Sequence, residues 1–274
     1  IITLAIGAFL CYKGVGTFTT YGHSVGEFLF SSQWAPADNA QGGGKVGAAI
    51  FIFGSIITCA LALLISTPFS IASAIFMTEI SPGIGRKILQ PAVEIFVGIP
   101  SVVYGWIGLT ILVPFIKDLF DLKFGFSVLA AGIVLAVMIY PTITSLSADA
   151  IRSIPKSFRQ ASYGLGATRW QTISQVVIPA SKSGLMTAIV LGLARAFGEA
   201  LAVAMVIGKM KAFPESLLSP TTNLTAAIAS DMGGAMEGSE YNIALWSMAL
   251  LLFIISLIFI FIIHYISAKG GHKA

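Results

Sequence analysis

The chain has 274 residues, of which 56% are hydrophobic and only 10% are charged. Soluble globular domains carry about 25% charged residues, so this composition excludes an ordinary soluble domain and predicts an integral membrane protein. The formal net charge is +4, but the sequence shows no cluster of basic and aromatic residues, which argues against a nucleic-acid partner.

Six apolar stretches predict six transmembrane helices. Four of them carry no charge and exceed the roughly 20 residues that cross the hydrocarbon core as a helix; they are 46–78, 95–116, 124–148 and 241–268. A fifth, between Lys182 and Lys209, contains only Arg195 and Glu199. The sixth runs from Ile1 to about Phe18. Because the stretches lack the ten-residue alternation of a membrane β-barrel, an all-α fold is expected.

The chain begins inside an apolar stretch and without Met. This predicts that sequence is missing before residue 1, and no signal peptide is recognisable there. Cys11 and Cys59 both fall in apolar stretches, so we expect packing residues and neither a disulfide nor a metal site.

The distribution of Lys and Arg predicts that both termini are cytoplasmic. Nine of the 16 basic residues fall in segments 78–90, 148–184 and 267–274, against five in the opposite loops, and cytoplasmic segments carry the excess of basic residues. The glycine-rich loop that follows the first stretch, up to residue 45, then faces outside. It is either a lid or partner surface, or simply a solvated loop.

Proline interrupts the third stretch. Pro100 removes a helical hydrogen bond, and irregular backbone at membrane depth survives only against protein or a water-filled cavity. The segment 98–101 therefore either faces a pathway or is a plain kink. In a pathway, Ser101 and Tyr104 would offer hydroxyl groups; the alternative for each is core packing. Glu94 lies near the cytoplasmic end and is either part of the pathway or a solvated residue at the interface.

The fifth stretch carries the charges that most need an explanation. Arg195 and Glu199 are four residues apart, a spacing that predicts adjacent turns of one helical face. Each charge costs about 2.5–3.5 kcal/mol at the bilayer centre, so a role in translocation is favoured over a structural ion pair. Arginine suits an oxyanion because its planar fork stays charged. Small residues recur every four positions and predict close packing on several sides; they are Gly184, Ala188, Gly192, Ala196, Ala200, Ala204 and Gly208.

The polar loop 148–184 predicts two short helices around a glycine break. Pro155 suits a first helical turn, and Gly164 and Gly166 end the helix. Residues 168–171 form a capping-box pattern that begins the second helix, which Pro179 ends. The apolar face of the first helix is a docking element or, alternatively, lies on the lipid surface; it consists of Phe158, Ala161, Ser162 and Leu165.

This loop resembles the cytoplasmic loop of binding-protein-dependent ABC importer permeases. That family has Glu-Ala-Ala, three residues, Gly, nine residues, then Ile-x-Leu-Pro. Here the spacing is kept in 160–162, Gly166 and 176–179, with Gln160 in place of Glu. The segments that resemble the phosphate-specific, PstC-type branch are 74–79, 98–105, 163–170, 195–200 and 202–208.

The resemblance implies a single permease domain with the type I ABC importer fold. Residues 1–45 would form the first helix and outside loop, 46–267 a five-helix core, and 268–274 a cytoplasmic tail. The implied partners are a second, PstA-type permease, two ATP-binding subunits and a periplasmic or lipid-anchored phosphate-binding protein in a bacterial inner membrane. The implied substrate pathway consists of Arg195, Glu199, Glu94, Ser101 and Tyr104, and the implied ATPase-coupling residues are Phe158, Arg159, Gln160, Ala161, Ser162, Leu165 and Gly166.

The sequence contains no phosphate-binding loop of its own, because Gly44-Lys45 is followed by Val46 and lacks the upstream glycine. No cofactor is therefore expected in this chain, and ATP and magnesium would be bound by the partner ATPase. Alternative substrates are sulfate, molybdate and phosphonate. A secondary transporter or channel is a further alternative, although no inverted repeat supports it. The scattered His23, His264 and His272 give no support to a membrane enzyme.

Overall fold

The computed structural model describes residues 2–271, and its regular structure is almost entirely helical. The predicted all-α fold is thus confirmed. The residues form two compact units. The first unit comprises the chain up to Leu61, Ser101–Leu135 and Phe197–Leu257, and the second comprises Ala62–Pro100, Ala136–Ala196 and the chain from Ile258. His272 and Lys273 lie outside the described residues.

The helices follow one another with short connections, and two two-residue strands lie in the first long loop. In chain order the elements are α1 (Ile2–Gly14), α2 (Gly16–Thr19), α3 (Val25–Phe30), β1 (Trp34–Ala35), β2 (Lys45–Val46), α4 (Ala49–Ile80), α5 (82–98), α6 (Ser101–Leu119), α7 (Val128–Arg152), α8 (Lys156–Gly164), α9 (Arg169–Ala180), α10 (Lys182–Gly198), α11 (Leu201–Val206), α12 (Leu224–Asp231) and α13 (Glu240–Gly271).

Four helices are long and apolar enough to cross a membrane, namely α4, α6, α7 and α13 as far as Ile266. A fifth candidate is the pair α9 and α10, which is bent by 67°. The predicted count of six is therefore not confirmed within residues 2–271. The shortfall lies at the start of the chain, where the apolar helix Leu4–Thr19, which covers most of α1 and all of α2, spans only about 24 Å at a rise of 1.5 Å per residue.

Close packing accounts for the two glycines at the junction of α1 and α2, where Val15, the one residue between the two helices, is itself in a helical conformation. A Cβ atom on Gly14 would lie 2.8 Å from the Cβ atom of Leu250, and one on Gly16 would lie 2.9 Å from Cγ2 of Ile243. The Ser247 hydroxyl donates to the carbonyl of Gly14 at 2.6 Å. Two glycines within three residues weaken the helix, and they are used here to bring α1 and α2 against α13.

The outside loop of the sequence prediction is an ordered structure that packs on the start of α13. β1 and β2 pair antiparallel, and the carboxylate of Glu240, which is fully buried, accepts hydrogen bonds from the loop. Its donors are the backbone N–H groups of Ala37 at 2.7 Å, Gly43 at 3.2 Å and Gly44 at 2.8 Å, together with Nε2 of His23 at 2.7 Å. The glycines are required by geometry: Gly43 has a φ of +97°, and a Cβ atom on Gly44 would lie 2.5 Å from Oε2 of Glu240.

We predict that Glu240→Gln destabilises this loop. The amide nitrogen of glutamine would face backbone N–H donors where the carboxylate now accepts, and a buried hydrogen bond lost in this way costs about 1–3 kcal/mol. The expected result is a lower midpoint of thermal unfolding in detergent and faster tryptic cleavage at Lys45. Glu237→Gln is the matched control, since Glu237 is exposed; equal cleavage rates in the two variants would contradict the prediction.

The small residues of α10 pack against α7 in the second unit. A Cβ atom on Gly184 would lie 2.6 Å from that of Ala150, and one on Gly192 would lie 2.5 Å from Cγ1 of Ile143. Ala188 and Ala196 are buried on the same helix. The rest of the predicted stripe lies beyond the end of α10, where Gly208 has a φ of +94°; the stripe is therefore not a continuous helical feature.

Candidate functional site

Arg195 lies near the end of α10, in the second unit, and is half-buried. Its Nη1 donates to Oγ1 of Thr142 on α7 at 2.6 Å. Among the described residues of this unit, no carboxylate pairs with Arg195. The guanidinium group is therefore held in place by a neutral hydroxyl, and most of its donors remain available for an anionic ligand.

Sequence reasoning missed Thr142, which lies next to Pro141 in the interior of α7. This stretch of α7 is rich in hydroxyl groups. The Tyr140 hydroxyl and that of Ser73 on α4 are 2.8 Å apart, and the buried hydroxyls of Thr144 and Ser147 have no hydrogen-bond partner within the described structure. Hydroxyl residues around a helix-interior proline were the available signal, since the freed backbone groups of such a helix are often satisfied by Ser and Thr.

Glu199 does not lie on the same helix as Arg195, and the predicted i, i+4 pair on one helical face is wrong. α10 ends at Gly198, and α11 begins at Leu201. In the first unit, Oε1 of Glu199 accepts from the backbone N–H of Ala202 at 3.2 Å. Gly198 is a poor helix former, and a carboxylate at a helix N-terminus is favoured by the exposed N–H groups and the helix dipole; together they account for the break.

Glu94 lies on α5 in the second unit and is exposed. Its Oε1 accepts from Nε2 of Gln90 at 3.0 Å, and Oε1 of Gln90 accepts from Nη2 of Arg152 at 3.1 Å. Arg152 also lies 3.5 Å from Asp149. Glu94 is thus linked to the end of α7 through a chain of exposed polar groups.

The predicted break at Pro100 is present, because α5 ends at Gly98 and α6 begins at Ser101. Ser101 is half-buried and is the first residue of α6, and Tyr104, one turn later, is 8% exposed. Both residues belong to the first unit. Gly105 allows α6 to approach α11 closely, since a Cβ atom there would lie 2.7 Å from the Cα atom of Ala202.

The polar loop 148–184 forms the two predicted short helices around a glycine break, but the second helix, α9, contains Pro179 and ends at Ala180. α8 begins after Pro155, which is its N-cap, one residue earlier than the predicted first-turn position, and it ends at Gly164. Gly166 has a φ of +81°, a conformation that glycine adopts without strain. The predicted capping box is confirmed: Thr168 Oγ1 accepts from the N–H of Gln171 at 3.3 Å, and Gln171 Oε1 accepts from the N–H of Thr168 at 2.8 Å.

A groove of about 650 Å³ lies along α8 in the second unit. It includes the whole predicted apolar face, and its lining residues are Ser157, Phe158, Ala161, Ser162, Leu165, Ala167, Gln175 and Val176. Leu165 is 90% exposed and Phe158 is 49% exposed. Apolar side chains left open in this way on a polar loop indicate a partner surface. The exposed Gln160 does not line the groove.

Arg159 lies on α8 but does not line the groove, and its side chain turns toward the last turn of α4. Its Nη2 lies 2.5 Å from Oε1 of Glu79 in the last turn of α4, and its Nε donates to both carboxylate oxygens at 3.1 and 3.2 Å. Only 18% of the Arg159 side chain and 10% of the Glu79 side chain are exposed. Eighty residues separate the two positions, so no local pattern could have revealed the pair.

Comparison with known proteins identifies the class of this membrane protein. Residues 66–270 match the family model described as "binding-protein-dependent transport system inner membrane component". A probable ABC transporter permease protein, YqgH of Bacillus subtilis, is 54% identical over 97% of this chain and 85% of its own length. Phosphate transport system permease proteins PstC are 34% identical in Haemophilus influenzae, over 93% of this chain and 85% of that protein, and 36% identical in Pasteurella multocida, over 100% and 89%.

Solved structures support the same fold. A chain of the MetNI methionine ABC transporter in an inward-facing conformation matches with a TM-score of 0.57 and 21% identity, over 79% of this chain and 96% of that one. A chain from a second crystal form of MetNI matches with a TM-score of 0.61 and 19% identity, over 80% of this chain and 93% of that one. At this identity the likeness concerns the fold alone, and it confirms the predicted importer permease architecture.

Proposed function

The chain belongs to the family of binding-protein-dependent transport system inner membrane components, and we propose that it is a permease subunit of an ATP-driven importer of inorganic phosphate. One observation carries the substrate class: Arg195 on α10 is bonded to the hydroxyl of Thr142, and no carboxylate among the described residues of its unit neutralises it. A positive charge in an apolar helix that is paired with a neutral hydroxyl suits an anionic ligand. The PstC names of several relatives favour phosphate among the oxyanions.

The proposed pathway residues have different roles. Arg195 binds the oxyanion through charge-assisted hydrogen bonds. Glu199, as an acceptor, takes a hydrogen bond from the protonated oxygen of hydrogenphosphate; a fully deprotonated anion such as sulfate has no such donor to offer. Ser101 and Tyr104 supply hydroxyl groups near the break at Pro100. Glu94 lies toward the cytoplasmic end.

Energy for transport comes from separate subunits in this proposal. The chain carries no phosphate-binding loop motif, so ATP and magnesium are bound by two partner ATPases that dock on the groove along α8. ATP binding then favours one of two conformations of the permease, because a ligand shifts an equilibrium toward the state that it binds better. A second, PstA-type permease completes the pathway, a phosphate-binding protein delivers the substrate from outside, and both termini face the cytoplasm.

The test is reconstitution in liposomes with the candidate second permease, ATPase and binding protein. We expect ATP-dependent uptake of radiolabelled phosphate that excess sulfate or molybdate does not compete away. Omission of the ATPase should abolish uptake. Uptake by this chain alone without nucleotide would contradict the proposal and favour a secondary transporter, whereas competition by sulfate, molybdate or phosphonate would assign a different oxyanion to the same machinery.

A further inference from the structure

Glu79, in the last turn of α4, is held from two sides by the loop 148–184. The guanidinium group of Arg159, on α8, donates hydrogen bonds to the Glu79 carboxylate through Nε and Nη2. Arg169, in the first turn of α9, donates through Nη2 to the backbone carbonyl of Glu79 and, at 2.8 Å, to that of Ile80. Both short helices of the loop are therefore bonded to the same turn of one long apolar helix.

Arg159 also bonds to the end of α7. Its Nη1 donates to the carbonyl of Ile154 at 2.8 Å, and its Nη2 donates to that of Ile151 at 3.1 Å. One side chain on α8 thus joins the ends of two long helices, α4 and α7. Any displacement of α8 must either carry these helix ends along or break charge-assisted hydrogen bonds that are largely shielded from water, which are the stronger class of such bonds.

The remaining contacts between these segments are less directional. Ala74 and Ile75 of α4 pack with Ala148 and Ile151 of α7 in a buried apolar cluster, and apolar contact alone has no preferred direction. The end of α4, Phe76–Ile80, is a π-helical turn, a feature that occurs mostly as single turns within α-helices and is frequent at functional sites. The ion pair therefore supplies the specific attachment, at a turn whose backbone already departs from α-helical geometry.

We propose that the Glu79–Arg159 ion pair, supported by Arg169, transmits the movement of the docking helix α8 to the long helices α4 and α7. This inference rests on the proposed function, since it requires an ATPase that moves α8. Arg159 acts as a positioning residue: it touches neither the transported anion nor the nucleotide. Because coupling between sites is reciprocal in binding free energy, the same link would carry the state of α4 and α7 back to the ATPase.

The test uses the complete complex with its ATPase, and compares Arg159→Glu, Glu79→Arg and the double exchange. Hydrogen–deuterium exchange of residues 156–180 and 62–80 is measured with and without ATP and vanadate, beside ATP hydrolysis and uptake. In the unchanged protein, nucleotide should alter exchange in both segments. In Arg159→Glu, the nucleotide-dependent change in exchange should persist in residues 156–180 and disappear in residues 62–80. Uptake per ATP hydrolysed should fall about tenfold, which is within the usual range of coupling between sites.

The double exchange should restore part of the response, because it rebuilds an opposite-charge pair. Arg159→Lys keeps the positive charge but loses the planar guanidinium group, so the nucleotide response of residues 62–80 should be reduced less than in Arg159→Glu. This variant also provides a measurement if the reversed charge of Arg159→Glu prevents folding. Lys182→Glu is the matched control, an equal charge change at an exposed lysine of the same unit, and should resemble the unchanged protein.

The proposal is overturned if residues 62–80 of Arg159→Glu and Arg159→Lys respond to nucleotide as in the unchanged protein. It is equally overturned if Arg159→Glu, Glu79→Arg and the double exchange all lose structure in the absence of nucleotide, because the ion pair then serves folding only. A nucleotide response in both segments without phosphate uptake would refute the substrate assignment and leave the link standing. Failure of any ATPase to copurify with the unchanged protein would refute both.

Discussion

Replacement of Arg195 by leucine should abolish phosphate uptake while leaving the protein folded and assembled. Leucine inserts into an apolar helix more easily than arginine, so the folded chain loses only the single hydrogen bond to Thr142 at 2.6 Å. The anion, by contrast, loses at least two charge-assisted hydrogen bonds of about 1.5–3 kcal/mol each. The initial rate of uptake should fall by about a hundredfold or more, measured with equal amounts of assembled complex in liposomes.

The controls separate anion binding from the general presence of a charge in the membrane. Lys13→Leu removes a half-buried cation from another apolar helix, α1, and should leave uptake nearly unchanged. Arg195→Lys keeps the charge but not the planar fork, so partial activity is expected. Unchanged uptake in Arg195→Leu would show that the arginine is structural, and the proposal for its role would then be wrong.

Thr142→Val tests the positioning of Arg195 by a neighbouring side chain. Valine keeps the branched shape but lacks the hydroxyl that now accepts from Nη1 at 2.6 Å. We expect weaker apparent affinity for phosphate with a smaller loss of maximal rate, because the guanidinium is still present but less well oriented. A loss as large as that of Arg195→Leu would instead place the hydroxyl in direct contact with the anion.

Features that depend on a few neighbouring residues were predictable from the sequence. The break at Pro100 follows from the missing N–H and the ring of proline, and the start of α9 follows from the spacing of Thr168 and Gln171. The groove face of α8 follows from the i, i+3, i+4 and i+7 periodicity, although Ser162 on that face is buried and bonded to Thr172. In each case the physical cause lies within one or two turns of helix, so the linear sequence contains it.

Features that depend on distant residues, or on competition between weak preferences, were not predictable. The break after Gly198 lies in a stretch without proline, where the small-residue spacing suggested one continuous helix; beyond the break, the Glu199 carboxylate accepts from the N–H of Ala202 in the first turn of α11. Glu240 directly precedes the uncharged stretch 241–268 in the sequence; in the structure, a loop about 200 residues earlier in the chain buries its side chain. The contacts of Arg159 with Glu79 and of Arg195 with Thr142 likewise join segments that only tertiary packing brings together.

Ala161→Glu should prevent the ATPase from binding to the loop 148–184. Ala161 is exposed and lines the groove along α8, so the substitution is tolerated by the isolated chain. In the complex, the new carboxylate would be buried against the partner without a cation, and an uncompensated buried charge costs about 3–5 kcal/mol. Affinity should therefore fall by at least about a hundredfold, which copurification and a titration of ATPase in detergent would measure.

Lys156→Gln provides the matched control, because it changes the charge of the same helix by the same amount at an exposed position off the groove. Normal ATPase binding in Lys156→Gln together with lost binding in Ala161→Glu would place the contact in the groove. Equal binding in both variants would mean that the groove is not the docking surface. Because α8 carries the groove on one side and Arg159 on the other, loss of binding in Ala161→Glu and loss of transmission in Arg159→Glu should be separable defects of one short helix.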